Sequence, residues 1–310
     1  LSTGTDFVIL GADVLDGGYT ESTSLRRLFL GTLAERCGLN VTIAGFSFSD
    51  RATPRIKRFL RERCQGFRLV CRDPRSAARV SETMGRKIPS SADLAFLLPK
   101  PETPSPAAAE AYETARAWKA QGGGAIAFNI NARAILSTHP QIGVARCSKA
   151  LAETLTRLHD KTGCGLLLLS HDNRKGISDL GFLKSLRADL PDHVPVAMPE
   201  APMRPGDVKL LCAQAEMTIT GRMHMGIASL GVETPTCFYD YQGKIQGLLE
   251  LIGQPDMRFD AEDIVDVDRF SEAMLARYET RAARRAQLAE RLPAIRARSE
   301  TNIDAILGVG

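Results

Sequence analysis

The sequence is poor in the patterns that mark a metal centre, a disulfide framework or a membrane span. Its seven cysteines are odd in number, form no CxxC pair and lie mostly inside apolar segments, so they read as reduced core thiols of a cytoplasmic protein. The five histidines show no ligand-like spacing, so no metal site is expected, and His139, His159 and His193 fall in loops or on a helix face as surface groups. No apolar run approaches the roughly 18 residues of a membrane helix, and no basic-then-apolar start marks a signal peptide. Internal repeats and long low-complexity tracts are lacking, so no repeat architecture is expected. Basic residues are scattered rather than clustered and the net charge is only +4, which argues against nucleic acid and favours anionic small molecules or glycans.

What is present is an ordinary globular composition, 44% hydrophobic and 25% charged, enough to bury a sizeable core. A length of 310 residues favours two domains. Short apolar or β-branched runs alternate with amphipathic stretches of helical length, the pattern of βαβ units around a parallel sheet, so the fold class is α/β. Strands are expected at Asp6–Leu10, Asn40–Ala44 and Arg68–Cys71, with helices near Ser22–Cys37 and Thr53–Gln65. A second series follows: strand Ala125–Ile130, helix Cys147–Thr162, strand Gly165–Ser170, helix Ile177–Ala188, strand Val194–Ala197, helix Asp207–Gln214 and strand Glu216–Thr220. The Pro-rich and Gly-rich break between them places a linker. The expected division is an N-terminal Rossmann-like domain over 1–98, a linker over 99–124, a C-terminal Rossmann-like domain over 125–262 and a helical tail over 263–310, bent at Pro293 and able to return to the first domain. Two Rossmann-like domains facing a cleft are the simplest architecture. The first strand begins almost at once after Leu1, which is not Met, so further sequence upstream, with or without a targeting segment, is an expectation.

In open α/β sheets ligands bind beyond the carboxyl ends of strands, where loops and helix N-termini present N–H groups to anions. Thr218-Ile219-Thr220-Gly221-Arg222-Met223-His224 places a glycine turn, an arginine and a histidine at such an end, just where a helix starts. Arg222 suits a phosphate or carboxylate by bidentate hydrogen bonds, and His224 suits proton donation near neutral pH; a structural salt bridge and a local cap are the alternatives. Asn129, near the end of the first strand of this series, and Arg133, just after it, are donor-side candidates, Arg133 also reading as a plain surface group. His171, in Ser170-His171-Asp172-Asn173, fits a phosphate hydrogen bond or proton transfer, or a turn cap. Lys244 offers a point charge to the anion, or is simply solvated. In the first domain Asp13 and Asp16 fit sugar hydroxyls or ordinary turns, and Ser47 and Ser49 close the next strand at the same edge. Spacing alone makes none of Arg72, Asp73, Asp93 or Asp179 catalytic.

Thr220-Gly221-Arg222-Met223-His224, then Gly231-Val232-Glu233-Thr234-Pro235 and Tyr239-Asp240-Tyr241-Gln242-Gly243-Lys244, together with Cys71-Arg72-Asp73-Pro74-Arg75-Ser76, resemble the polysaccharide pyruvyl transferase family over most of the chain. The sequence departs from it at the start, where Gly11-Ala12-Asp13 stands in place of a Gly-rich run. The resemblance implies a fold similar to GT-B glycosyltransferases, phosphoenolpyruvate as donor substrate with no resident cofactor, and a saccharide or lipid-linked oligosaccharide as acceptor. The expected product is a cyclic pyruvyl ketal, made in the cytoplasm, with peripheral association at membrane-bound polysaccharide assembly. Arg222, Arg133, Asn129 and Lys244 would then hold the donor, His224 and His171 would handle protons, and Asp13, Asp16, Ser47 and Ser49 would meet the acceptor. A nucleotide-sugar glycosyltransferase of the same fold and a non-catalytic glycan- or anion-binding protein are the competing readings.

Overall fold

The structure is a computed structural model that describes residues 4–309 except 13, 19, 131–134, 136–140, 173–178, 241, 242 and 244. Three of the expected site residues, Asp13, Arg133 and Lys244, lie outside the described residues. The chain divides into two compact units, one formed by residues 1–97, 242–253 and 293–310, the other by 98–241 and 254–292.

The first unit is built on three parallel strands in the order β1 (Asp6–Ala12), β2 (Asn40–Phe46), β3 (Arg68–Cys71). Helix α1 (Glu21–Arg36) and helix α2 (Pro54–Arg63) pack with them through Leu28, Ile56 and Leu60, and Phe46, Phe48 and Phe67 complete the core. α2 starts where it does because Thr53 caps it, its Oγ1 accepting from Ile56 N at 3.4 Å, and because Pro54 has no N–H to lose at the first helical position. Helix α3 (Pro74–Met84) repeats the device: Asp73 accepts from Ser76 N at 2.8 Å and from Ser76 Oγ at 2.6 Å. It ends at Gly85, whose φ of 67° is the left-handed conformation that costs glycine least.

The second unit carries six parallel strands in the order β6-β5-β4-β7-β8-β9, with β4 Gly124–Asn129, β5 Cys164–Leu168, β6 Val196–Ala197, β7 Ala215–Thr220, β8 Thr236–Tyr239 and β9 Arg258–Phe259. Every residue of β4 and β5 is buried, as a parallel sheet covered on both faces requires. Numbered within this sheet the order is 3-2-1-4-5-6, the doubly wound Rossmann arrangement, and the strand order reverses between β4 and β7. Helix α4 (Ala109–Ala120) lies within this unit, its Ala111 and Ala115 buried in the core. The stretch 99–124 expected as a linker therefore packs as part of the second unit: its run of small side chains lets a helix approach the sheet closely. Gly165 is needed there, since a Cβ would sit 2.6 Å from the Trp118 ring.

Helices α5 (Val144–Thr162), α6 (Asp179–Asp189), α7 (Pro205–Cys212) and α8 (Met223–Leu230) join these strands. α8 approaches β8 so closely that a Cβ on Gly226 would fall 2.0 Å from Phe238. Helix α9 (Ile245–Ile252) belongs with the first unit, where Arg75 of α3 binds Glu250 by two hydrogen bonds of 2.8 and 2.6 Å. Helices α10 (Ala261–Val265) and α11 (Val267–Glu279) belong with the second unit. The last helix, α12 (Arg281–Leu307), holds Pro293 in its interior; from that residue onward it belongs with the first unit, and before it with the second. Within the first unit its buried Ser299 donates to Asp93 O at 2.8 Å and Asn302 donates to Ala92 O at 2.9 Å. The tail thus completes that unit by side-chain hydrogen bonds as well as by packing.

Cys37 is exposed and the other six cysteines are buried, all of them free thiols. Burial pushes the thiols of Cys64, Cys147, Cys212 and Cys237 up to about 12, so none of these four is a nucleophile near neutral pH.

Candidate active site at the switch point of the second sheet

β4 and β7 are neighbours, with Asn129 opposite Thr220, so their carboxyl ends open on the same point where the strand order reverses. Backbone hydrogen bonds lace the loops there: Leu169 N donates to Phe128 O at 3.0 Å and Gly221 N to Asn129 O at 2.8 Å. Arg222 is extended, φ −109° and ψ 113°, and occupies the N-cap of α8 without a side-chain cap. The first turn of α8 thus begins at the switch point with its positive dipole end, and Arg222, its N-cap, makes no side-chain cap bond among the described residues. His224 is the second residue of that helix.

A single carboxylate organises this corner. Asp179, the first residue of α6, is fully buried and accepts from Arg222 Nη2 at 2.6 Å and from Arg222 Nε at 3.2 Å. It also accepts from Asn129 Nδ2 at 3.0 Å and from the backbone N–H groups of His171 and Asp172 at 3.2 and 3.1 Å. Asp172 adds a second carboxylate 3.5 Å from Arg222 Nη2. Asp179 N in turn donates to Asp172 O at 2.8 Å, tying the start of α6 to the loop that follows β5.

These contacts change what two of the expected donor residues can do. The Nε–Nη2 edge of Arg222, the fork expected to grip an anion by two bonds, is taken by Asp179; among the described residues the Nη1 nitrogen has no partner. Asn129 spends both amide hydrogens, on Asp179 and on Leu169 O at 2.7 Å, and its remaining polar atom is Oδ1, a buried acceptor without a partner among the described residues. An acceptor repels an anion, so Asn129 does not donate to a phosphate or carboxylate; it fixes the ends of β4, β5 and α6 to one another.

His171 is held beside this cluster through its backbone. Burial pushes its imidazole down from 6.5 to about 4, helped by the positive charge of His224 and Arg222 and opposed by Asp179 and Asp172. It is therefore neutral at pH 7, a hydrogen-bond partner or proton acceptor and not a standing acid. Arg222 and His224 lie near enough to His171 to act on its imidazole, while Arg133 and Lys244 fall outside the described residues.

The first unit treats its candidates differently. Asp16 is fully buried; Oδ1 accepts from Gly18 N at 2.9 Å and Oδ2 from Ser49 N at 3.3 Å. Ser47 Oγ accepts from Arg72 Nε at 2.6 Å, and Arg72 Nη1 donates to Asp93 at 2.8 Å, both partners buried. Asp16, through its carboxylate, and Ser47, through its hydroxyl, help hold the loops after β1 and β2 in shape, while Ser49 takes part through its backbone N–H. Spacing assigns Asp179 no role because 50 residues separate it from Asn129 and 43 from Arg222. Its one local signal is an acidic residue at the start of the helix that follows a strand end.

Among the described residues no group of three His, Cys, Asp or Glu side chains is placed to hold a metal ion, and no helix is long and apolar enough to cross a membrane.

Comparison with solved structures places this fold among GT-B glycosyltransferases. A UDP-forming trehalose-phosphate synthase from Burkholderia vietnamiensis matches with a TM-score of 0.53 and 12% identity, over 91% of this chain and 70% of that one. The N-terminal domain of trehalose-6-phosphate phosphatase from Candida albicans matches with a TM-score of 0.52 and 11% identity, over 91% and 68%. The glycosyltransferase of kitacinnamycin matches with a TM-score of 0.51 and 15% identity, over 97% and 74%. Identities this low carry the fold and no further. No curated protein matches the chain. The model of the polysaccharide pyruvyl transferase family matches residues 4–243, a span that takes in the whole switch-point cluster from Asn129 to His224. The chain is an enzyme of the polysaccharide pyruvyl transferase family.

Proposed function

We propose that this enzyme transfers the pyruvyl group of phosphoenolpyruvate to two hydroxyls of one sugar in a polysaccharide or its lipid-linked precursor, forming a cyclic ketal and releasing phosphate. The observation that carries the proposal is the grouping of Arg222, His224 and His171 at the switch point, beside an uncapped helix start. That grouping suits a small dianion, with the helix dipole and one arginine nitrogen donating to it.

The chemistry needs a proton at the methylene carbon of the donor, which becomes the methyl group, and attack of a sugar oxygen at the neighbouring carbon. Phosphate then leaves and the second hydroxyl closes the ring. Two hydroxyl protons are lost; one replaces the proton given to carbon and the other departs with phosphate. Arg222 steadies the donor anion through Nη1, and Arg133 and Lys244 add charge to the same anion. His224 is the acid. His171, neutral at pH 7, takes up a hydroxyl or phosphate proton and passes it on. Asp13 contacts the acceptor, and Asp16, Ser47 and Ser49 shape the loops around it. The reaction calls for no resident cofactor. It proceeds in the cytoplasm, at the inner face of the membrane when the acceptor is lipid-linked.

The test incubates the protein with phosphoenolpyruvate and galactosyl, glucosyl and mannosyl acceptors, following phosphate release and product mass. Acceptor-dependent phosphate release with a product heavier by one pyruvyl ketal supports the proposal; turnover of a nucleotide sugar with none of phosphoenolpyruvate rejects it.

A further inference from the structure

We propose that Asp179 is the positioning residue of the site: it fixes the Arg222 guanidinium by its Nε–Nη2 edge so that Nη1 is directed to the ligand, and it locks Asn129 with both amide hydrogens spent. The proposal rests on the donor reading above for the identity of the ligand, and on geometry for everything else.

Three features set Asp179 apart from an ordinary ion-pair partner. First, its carboxylate is fully buried, where an anion without partners is costly, and it is satisfied by five donor groups drawn from three segments: the end of β4, the loop after β5, and the N-cap of α8 all converge on the start of α6. Second, it takes the Nε and Nη2 nitrogens together, with Nη2 at 2.6 Å, which fixes the guanidinium plane as well as its position. An arginine held on one edge presents the opposite nitrogen in a fixed direction, and so loses little freedom when an anion arrives. Third, the hydrogens of Asn129 are divided between Asp179 and Leu169 O, which leaves Oδ1 as the amide's unsatisfied atom. Swapping the amide round would set Oδ1 against two acceptors, so the orientation is enforced.

Asp179 and Asp172 both lie against the Nη2 nitrogen of Arg222, so part of its charge is already met and direction matters as well as charge. In this proposal selection draws on direction too, from an Arg222 nitrogen and the first turn of α8. A ligand that can meet both, a compact phosphate or carboxylate dianion, is favoured over a larger anion that meets either alone.

The experiment compares wild type, Asp179→Asn, Asp179→Glu, Arg222→Ala and the double variant Asp179→Asn with Arg222→Ala. Phosphoenolpyruvate turnover is measured for each, together with hydrogen exchange of the Arg222 Nε–H by proton–nitrogen NMR, the resonance being assigned by its loss in Arg222→Lys. Asp179→Asn is expected to raise KM for phosphoenolpyruvate at least about tenfold, and the double variant to fall within about twofold of Arg222→Ala alone, because the two residues act as one unit. Asp179→Glu recovers part of the loss. The Nε–H exchanges slowly in wild type and at least about tenfold faster in Asp179→Asn, with the folded circular dichroism retained. Losses that multiply in the double variant, or an Nε–H equally protected in Asp179→Asn, overturn the proposal. If wild type neither binds nor turns over phosphoenolpyruvate, the donor reading fails, and the exchange measurement still decides the role of Asp179.

Discussion

Both units present polar side chains at the carboxyl ends of parallel strands, yet the two edges are built to opposite ends. In the first unit Asp16, Ser47, Arg72 and Asp93 bind one another and the neighbouring backbone, so that they serve to hold loops. In the second, one buried carboxylate holds both Arg222 and Asn129, and Arg222 Nη1 has no partner among the described residues. Position at a strand end therefore does not make a polar residue functional; what decides is which of its atoms the fold has already used.

That contrast is sharpest in the largest effect expected. His224→Ala should lower kcat by about 10²–10⁴-fold, as loss of a general acid does, with little change in KM for phosphoenolpyruvate. Arg222→Ala should lower kcat/KM by about 10²–10³-fold, the usual cost of losing one donor to developing charge. Steady-state kinetics with varied phosphoenolpyruvate separates the two. Ordinary kcat and KM in both variants would erase the distinction between the edges.

Substitutions remote from the anion test the scaffold. Gly226→Ala drives a methyl group into Phe238, so α8 must shift; a loss of about 1–3 kcal/mol in denaturant unfolding is expected, along with weakened donor binding because Arg222 and His224 begin that helix. Ser47→Ala removes an acceptor from a buried arginine and should cost about 1–3 kcal/mol of stability while kcat for the donor half of the reaction stays near wild type. A Ser47→Ala enzyme of full stability and lost acceptor affinity would make the first unit's edge a binding edge after all.

A separate effect concerns pH. The imidazole of His171 has its proton affinity lowered in the folded state, from 6.5 to about 4, so between those values the unfolded chain binds more protons than the folded one. Its contribution to stability is full above pH 6.5 and is lost as pH falls toward 4. His171→Gln should flatten that part of the stability profile, measured by urea unfolding at closely spaced pH values.

Much of the fold was legible because buried parallel strands announce themselves as unbroken apolar runs: Arg68–Cys71 was read to the residue, and Asn40–Ala44 and Glu216–Thr220 within two. The two-residue β6 falls inside the expected strand Val194–Ala197, whereas β9, β8 and α3 have no counterpart among the expected elements. α3 is marked by capping at Asp73 and by Pro74, signals that the sequence reading took only as part of a motif. The site was half legible. Gly221-Arg222-Met223-His224 lies contiguous in sequence at a strand end, so its chemistry could be read directly. The part played by Asp179, and the reversal for Asn129 from donor to unsatisfied acceptor, depend on which partners the fold supplies across intervals of 40 residues or more. Spacing holds no record of that.

The most direct measurement is calorimetric titration of phosphoenolpyruvate into wild type, Arg222→Ala and Ser47→Ala. Binding that is weakened at least about tenfold by Arg222→Ala and unchanged by Ser47→Ala is the expected result; equal weakening by both, or none by Arg222→Ala, would contradict the assignment of the donor site to the switch point of the second sheet.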